Sequence, residues 1–257
     1  MKKKQSLSAS IITFNEEKNL ERCLLSIKDI CHEIIIVDSL SSDSTLKIAR
    51  EFGCKIFSQP FLGHIKQKQL ALEKCTGDWI LCIDADEAVS EELKREIMRF
   101  VSSNPEIHGI SINRLSNYFG KWMKFVWQPD WNIRLIRNGY AYWGGYNPHD
   151  KIIVKGKTDR LKGYLYHYPY KDIMDHFNKT IKYSSIIAEE YYKMGIKARW
   201  YHLLFSPHIA IFKKLILKFG ILDGIRGIII SSLTGWGVFI KYFNLFVLQR
   251  QKYFEKF

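Results

Sequence analysis

Short apolar runs alternate with amphipathic stretches through the first third of the chain. Leu7 to Thr13, Glu33 to Asp38, Lys55 to Ser58 and Trp79 to Asp84 read as strands. The second, through Ile34-Ile35-Ile36-Val37, and the fourth are unbroken apolar runs of the kind buried on both faces. Between them, Leu20, Cys23, Leu24 and Ile27 fall on one helical face, and Ile65, Leu70 and Leu72 belong to a second helix. Ser90-Glu91-Glu92 opens a third, as an N-cap followed by acids in the first turn. Strands and helices in this alternation predict an α/β fold: a mostly parallel central sheet flanked by helices, with ligands gathered at the carboxyl ends of the strands.

From residue 109 the pattern shortens into β-like pieces, Gly109 to Leu115, Asn132 to Arg137, Lys151 to Val154 and Leu161 to Tyr166, and Asp172 to Met194 then reads as a helix. Beyond it, Trp200 to Phe212 and Gly227 to Ile240 are runs of 13 and 14 residues without formal charge, each bounded by bases. As a helix the second extends about 21 Å at ~1.5 Å per residue, short of a hydrocarbon core of roughly 30 Å. The expectation is therefore a helical, membrane-associating extension that enters one leaflet without crossing.

Charge divides the chain in the same place. Residues 1–118 carry 16 basic and 17 acidic side chains, whereas 119–257 carry 23 and 9, and all 14 tyrosines lie at or after Tyr118. A basic, aromatic second half suits an anionic membrane surface or phosphates. Five cysteines, an odd number without any CxxC, argue against a disulfide framework or zinc site and for a reducing compartment. Lys2 to Lys4 lead into a stretch too polar for a secretory signal.

The chemistry concentrates at strand ends. Asp84-Ala85-Asp86-Glu87 follows the fourth strand, and in extended backbone positions i and i+2 share a side, so Asp84 and Asp86 converge. Two such carboxylates suit Mg²⁺ or Mn²⁺ bridging a diphosphate; the plainer reading is an acidic turn. Asp38 ends the second strand before Ser39-Leu40-Ser41-Ser42-Asp43-Ser44-Thr45, and Thr13-Phe14-Asn15-Glu16 closes the first. GxGxxG and GxxxxGK[ST] are both missing, which disfavours a NAD-dependent or P-loop enzyme.

Ser8 to Glu17, Ile34 to Ser39 with Ser42 to Thr45, Gln67 to Leu72 and Gly77 to Glu87 together resemble the family 2 glycosyltransferases of the GT-A fold, a Rossmann-like α/β architecture. The nearest subgroup is similar to bacterial lipopolysaccharide core glucosyltransferases. The resemblance covers about residues 7–170 and implies a catalytic domain over 1–170, with a nucleotide-sugar-binding half (1–108) and an acceptor half (109–170), followed by a basic and apolar helical region over 171–257. It implies that Thr13, Phe14 and Glu16 surround the nucleoside, that Asp38 contacts the base, that Lys68 lies near the nucleotide, and that Asp84 and Asp86 hold ribose and metal. Gln69 and Leu40 depart from the pattern, which usually has Asn and often Gly there; Leu40 suggests a different local backbone.

An inverting transfer also needs a base for the acceptor hydroxyl. Asp150, in Gly144-Gly145-Tyr146-Asn147-Pro148-His149-Asp150, resembles the subgroup's Gly-Gly…Val-His-Glu motif, and Asp130 is its rival. His149 and Trp131 are candidates for acceptor or diphosphate contact. Arg134 and Arg137, expected on one face of a strand, are candidates for the leaving diphosphate, and His167 reads as a satisfied buried histidine. Trp122, Trp127, Trp131 and Trp143 read as sugar-stacking faces or core. The function expected is transfer from a nucleotide sugar, UDP-linked, to a lipopolysaccharide-core, lipid-linked or other cell-envelope glycan, by a cytoplasmic protein peripheral on the inner face of the membrane and without a nucleic-acid partner. The competing readings are a non-catalytic basic membrane- or polyanion-binding protein on the same fold, and a nucleotidyltransferase.

Overall fold

The computed structural model describes residues 5–103, 105–146 and 149–254, with backbone only for His149 and 251–254. β1 (Leu7–Thr13), β2 (Glu33–Asp38), β3 (Lys55–Ser58) and β4 (Trp79–Cys82) alternate with α1 (Leu20–Ile27), α2 (Thr45–Glu51) and α3 (His64–Glu73). The four strands pair in the order β3-β2-β1-β4, all parallel. Register pairs Thr13 with Asp38 and Ser10 with Cys82, so three carboxyl ends share one sheet edge.

β5 (Glu87–Val89), α4 (Glu91–Ser103), β6 (Gly109–Tyr118), β7 (Lys121–Trp122), β8 (Trp131–Arg137), β9 (Ala141–Tyr146), β10 (His149–Val154) and β11 (Thr158–His167) follow. β8 lies antiparallel against β4, and the sheet continues through β6 and β11 to β5, while β9 and β10 form a separate pair. The parallel half was predicted, and the second half makes the sheet mixed. β5, β7 and β9 were not foreseen, because none carries an apolar run long enough to announce a strand. Gly144 and Gly145 lie inside β9. The chain ends in α5 (Ile173–Lys193), α6 (Trp200–Phe212), a π-helical turn (Lys213–Leu217), a 3-10 turn (Gly220–Asp223) and α7 (Ile225–Phe254).

The described residues fall into two compact units, one drawn from 1–115, 130–145 and 149–168, the other from 116–129, 146–148 and 169–257. In the first, Leu20, Cys23, Leu24 and Ile27 of α1 and Leu93, Ile97 and Val101 of α4 cover one sheet face, while Ile35, Ile80, Ile136, Leu72 and Trp143 fill the other. Glu33 is an exception inside this core. Its carboxylate accepts from Ser8 Oγ (2.7 Å), Thr76 N (2.6 Å), Thr76 Oγ1 (2.8 Å) and Lys55 Nζ (2.7 Å). Burial alone would raise its pKa, but these partners outweigh it and bring the pKa from 4.5 down to about 2. A depressed carboxyl stabilises the fold above its unfolded pKa and loses that contribution as pH falls through the folded value. Glu33→Gln is therefore expected to cost about 2 kcal/mol at pH 7. In urea titrations across pH, the gap to wild type closes between 4.5 and about 2.

In the second unit α7 packs against α5 and α6. Glycines permit the approach: a Cβ on Gly237 would lie 2.8 Å from Thr180 Cγ2 on α5, and one on Gly235 would lie 2.5 Å from Ile211 Cγ1 on α6. Buried Asp223 accepts from the backbone N–H groups of Lys124, Phe125 and Val126 at 2.8–3.1 Å, pinning the 3-10 turn to that loop. α7 continues unbroken past Lys241. Ile225–Arg250, 26 residues, is long and apolar enough to cross a membrane by length and composition. Length therefore does not exclude crossing, contrary to the expectation from the 14-residue run, because one lysine does not end a helix.

Candidate active site

Two loops lace together at the carboxyl ends of β1 and β2. Asp38 is fully buried and accepts from Thr13 Oγ1 (2.9 Å), Ser41 N (2.8 Å) and Ser41 Oγ (2.5 Å). Asn15 N donates to Ser41 Oγ, Ser42 N donates to Asn15 Oδ1, and Glu16 N donates to Thr45 Oγ1. Glu16 accepts from Asn19 Nδ2, while Phe14 is exposed. Thr13, Glu16 and Asp38 thus form the scaffold of this edge, with the ring of Phe14 at its surface. Leu40 overturns one expectation. Its φ is +63°, the conformation that favours glycine, so the turn keeps that backbone although the residue has changed.

The second cluster stands beyond β4. The strand ends at Cys82, and Glu87 N donates to Asp84 O at 2.9 Å, so the acids occupy a tight turn. Strand alternation is therefore not what orients Asp84 and Asp86. Asp84 Oδ1 meets Lys68 Nζ at 3.0 Å and its Oδ2 meets Arg134 Nη2 at 2.9 Å. Burial pushes this carboxyl up, but Lys68 and Arg134 outweigh it and hold it well below the usual carboxylate range. The same Lys68 Nζ reaches Asp150 Oδ2 at 2.9 Å, with the Trp143 ring 4.7 Å away. One ammonium therefore joins α3, the turn after β4 and β10.

Arg134 is 5% exposed and also donates to Glu87 Oε1 at 2.7 Å. Its charge is engaged by acids here, in place of the expected exposure to a diphosphate. Arg137 does not share its face, since residues three apart on a strand point oppositely. It donates to Pro105 O and lies over Trp79. Arg114 Nε donates to Asp130 Oδ2 at 2.8 Å, and Asn132 Nδ2 donates to Asp130 Oδ1. Burial raises the Asp130 carboxyl, but Arg114 outweighs it and keeps the group low.

Asp86 Oδ2 lies 3.4 Å from His167 Nε2. The satisfied histidine expected from the sequence thus has Asp86 as its partner. Which partner it would take was hidden, because that depends on β11 pairing with β5, which sets His167 opposite Glu87. Among the described residues no group of three or more His, Cys, Asp or Glu stands close enough to hold a metal by itself. The Asp86 carboxylate fits a Mg²⁺ or Mn²⁺ ion completed by waters and substrate phosphates, and the His167 imidazole beside it favours Mn²⁺ over Mg²⁺. Trp131 is 37% exposed with the Arg160 guanidinium 4.7 Å over its ring, whereas Trp143 belongs to the core. Asn147, Pro148 and the His149 side chain lie outside the described residues.

With the parallel sheet edge and its acids in view, the profile of Glycosyl transferase family 2 matches residues 8–161. The chain belongs to that family. This family 2 glycosyltransferase is 32% identical over 253 residues to an uncharacterized glycosyltransferase of Rickettsia typhi, spanning 94% of this chain and 87% of the relative. It is 31% identical over 245 residues to the lipopolysaccharide core biosynthesis glycosyltransferase LpsC of Rhizobium meliloti, spanning 90% and 88%. Among solved structures, S. aureus TarS in complex with UDP shares its fold, with a TM-score of 0.50 at 16% identity over 96% of this chain and 92% of that one. The transferase carries the GT-A-like sheet with an apolar C-terminal helix that is consistent with membrane association.

Proposed function

We propose that this transferase moves a sugar, with inversion, from a UDP-sugar to a lipopolysaccharide-core or other lipid-linked glycan at the cytoplasmic face of the membrane. The observation that carries the reading is the Lys68 bridge, which draws Asp84 and Asp150 to one ammonium at 3.0 and 2.9 Å. The names of LpsC and of the UDP complex of TarS support the acceptor class and the donor nucleotide.

In this reading residues 1–170 perform catalysis and 171–257 serve the membrane. Phe14, Thr13, Glu16 and Asp38 frame the nucleoside, while Asp86 with His167 would hold Mn²⁺ or Mg²⁺, completed by waters and donor phosphates, and Asp84 stays beside them in its tie to Lys68 and Arg134. Bound there, the ion would neutralise charge on the departing diphosphate. Lys68 complements the same charge and orients Asp150. Asp150 Oδ2 is taken by Lys68, so Oδ1 accepts the acceptor hydroxyl's proton as that oxygen attacks the anomeric carbon and the diphosphate leaves from the opposite face. Asp130 serves less well as the base because Arg114 and Asn132 both donate to it. His149 and Trp131 are the acceptor-side candidates. The decisive experiment incubates the protein with Mg²⁺ or Mn²⁺ and a panel of nucleotide sugars, following thermal stabilisation and slow hydrolysis. Stabilisation by UDP-sugars above GDP- and ADP-sugars is expected; no response to any nucleotide sugar with either metal would sink the reading.

A further inference from the structure

The turn joining α6 to α7 carries a dense cluster of exposed apolar side chains, next to those of α6 itself. Phe212, Ile216, Leu217, Phe219, Ile221, Leu222 and Ile225 are each 44–64% exposed. Seven large apolar side chains in fourteen residues form a patch beyond what a monomer's surface normally leaves in water. The turn is also held in place. Asp223 is buried under three backbone N–H donors from 124–126, Lys214 Nζ and Lys218 Nζ donate to the carbonyls of Val126 and Gln128, and Arg226 donates to those of Tyr118 and Phe119.

What covers this patch follows from charge. Between residues 191 and 254 there are ten lysines and arginines and a single acid, Asp223. That acid is inside and occupied, and among the described residues Lys218 and Arg226 meet backbone carbonyls and no carboxylate. Apolar side chains at the tip with this excess of positive charge behind them match a bilayer whose headgroups are anionic. We propose that residues 212–225 form a wedge that enters the headgroup region of an anionic membrane, and that α7 lies outside the hydrocarbon. The proposal deepens the membrane-face reading above and rests on it for its biological setting. A crossing α7 would have to carry its partner along, since Gly237 packs on Thr180 and Asn244 donates to Ser185 of α5, a helix with six charged side chains.

The test floats the full-length protein with vesicles of phosphatidylcholine containing about 30 mol% phosphatidylglycerol at low salt, beside pure phosphatidylcholine. Wild type is expected to float with the anionic vesicles, to bind the neutral ones weakly and to come off in alkaline carbonate. The double variant Leu217→Gln/Leu222→Gln, both positions exposed, is expected to lose at least tenfold in partitioning with unchanged thermal stabilisation by UDP. Failure of wild type to float, equal flotation of the double variant, or resistance of wild type to carbonate would each overturn the wedge. Self-association that the double variant abolishes, without flotation, would assign the patch to a second copy and overturn it too. Flotation as expected with no response to UDP would fault the sugar-transfer reading and leave the wedge standing.

Discussion

Asp150→Asn is expected to lower turnover by ~10³-fold, the range associated with losing a general base, while UDP affinity holds. The amide preserves shape and can still meet Lys68, whose other partner Asp84 is untouched. It cannot take the acceptor's proton, so the deficit belongs to kcat and not to donor binding. Single-turnover assays beside UDP calorimetry separate the two. Should Asp130→Asn be the dead variant and Asp150→Asn the active one, the roles are exchanged.

The second large effect is on the donor side. Asp86→Ala removes the carboxylate that faces His167 and is expected to weaken Mn²⁺-dependent UDP binding by roughly 10–100-fold, leaving metal-free binding as it was. Calorimetry with and without Mn²⁺ reads both, and an unchanged metal dependence in the variant would remove Asp86 from the assignment.

The legible part of this molecule was its parallel half. β1, β2 and the buried face of α1 stand where the apolar pattern put them, because a short unbroken apolar run and a helix with one apolar face are both visible in the sequence, and β3, a largely exposed strand at the sheet edge, also falls at the expected residues. The second half hid more. β5 is three residues and β7 two, and their pairing comes from distant neighbours, so neither has a signature of its own. The site followed the same rule. Asp84, Lys68 and Asp150 were each recognisable as candidates, but their meeting at one nitrogen joins positions up to 82 residues apart and depends on how β10 packs. Arg134 illustrates the opposite error. A basic residue on a strand looks like an anion site until buried Glu87 and half-buried Asp84 claim it.

β4 and β5 are joined by only Ile83 to Asp86, although β8, β6 and β11 stand between them in the sheet order. That connection has no slack. Asp86 O is further fixed by Tyr168 N at 2.9 Å, and Asp84 N by Glu87 Oε2 at 3.0 Å. The acids thus sit on a short closed turn pinned by its own hydrogen bonds and by Tyr168, which tolerates exchange of side chains far better than any change in the number of residues. Whatever moves to admit a donor must be some other part of the rim, and chain-length variation among related sequences should avoid these four positions and collect in loops that are not pinned in this way.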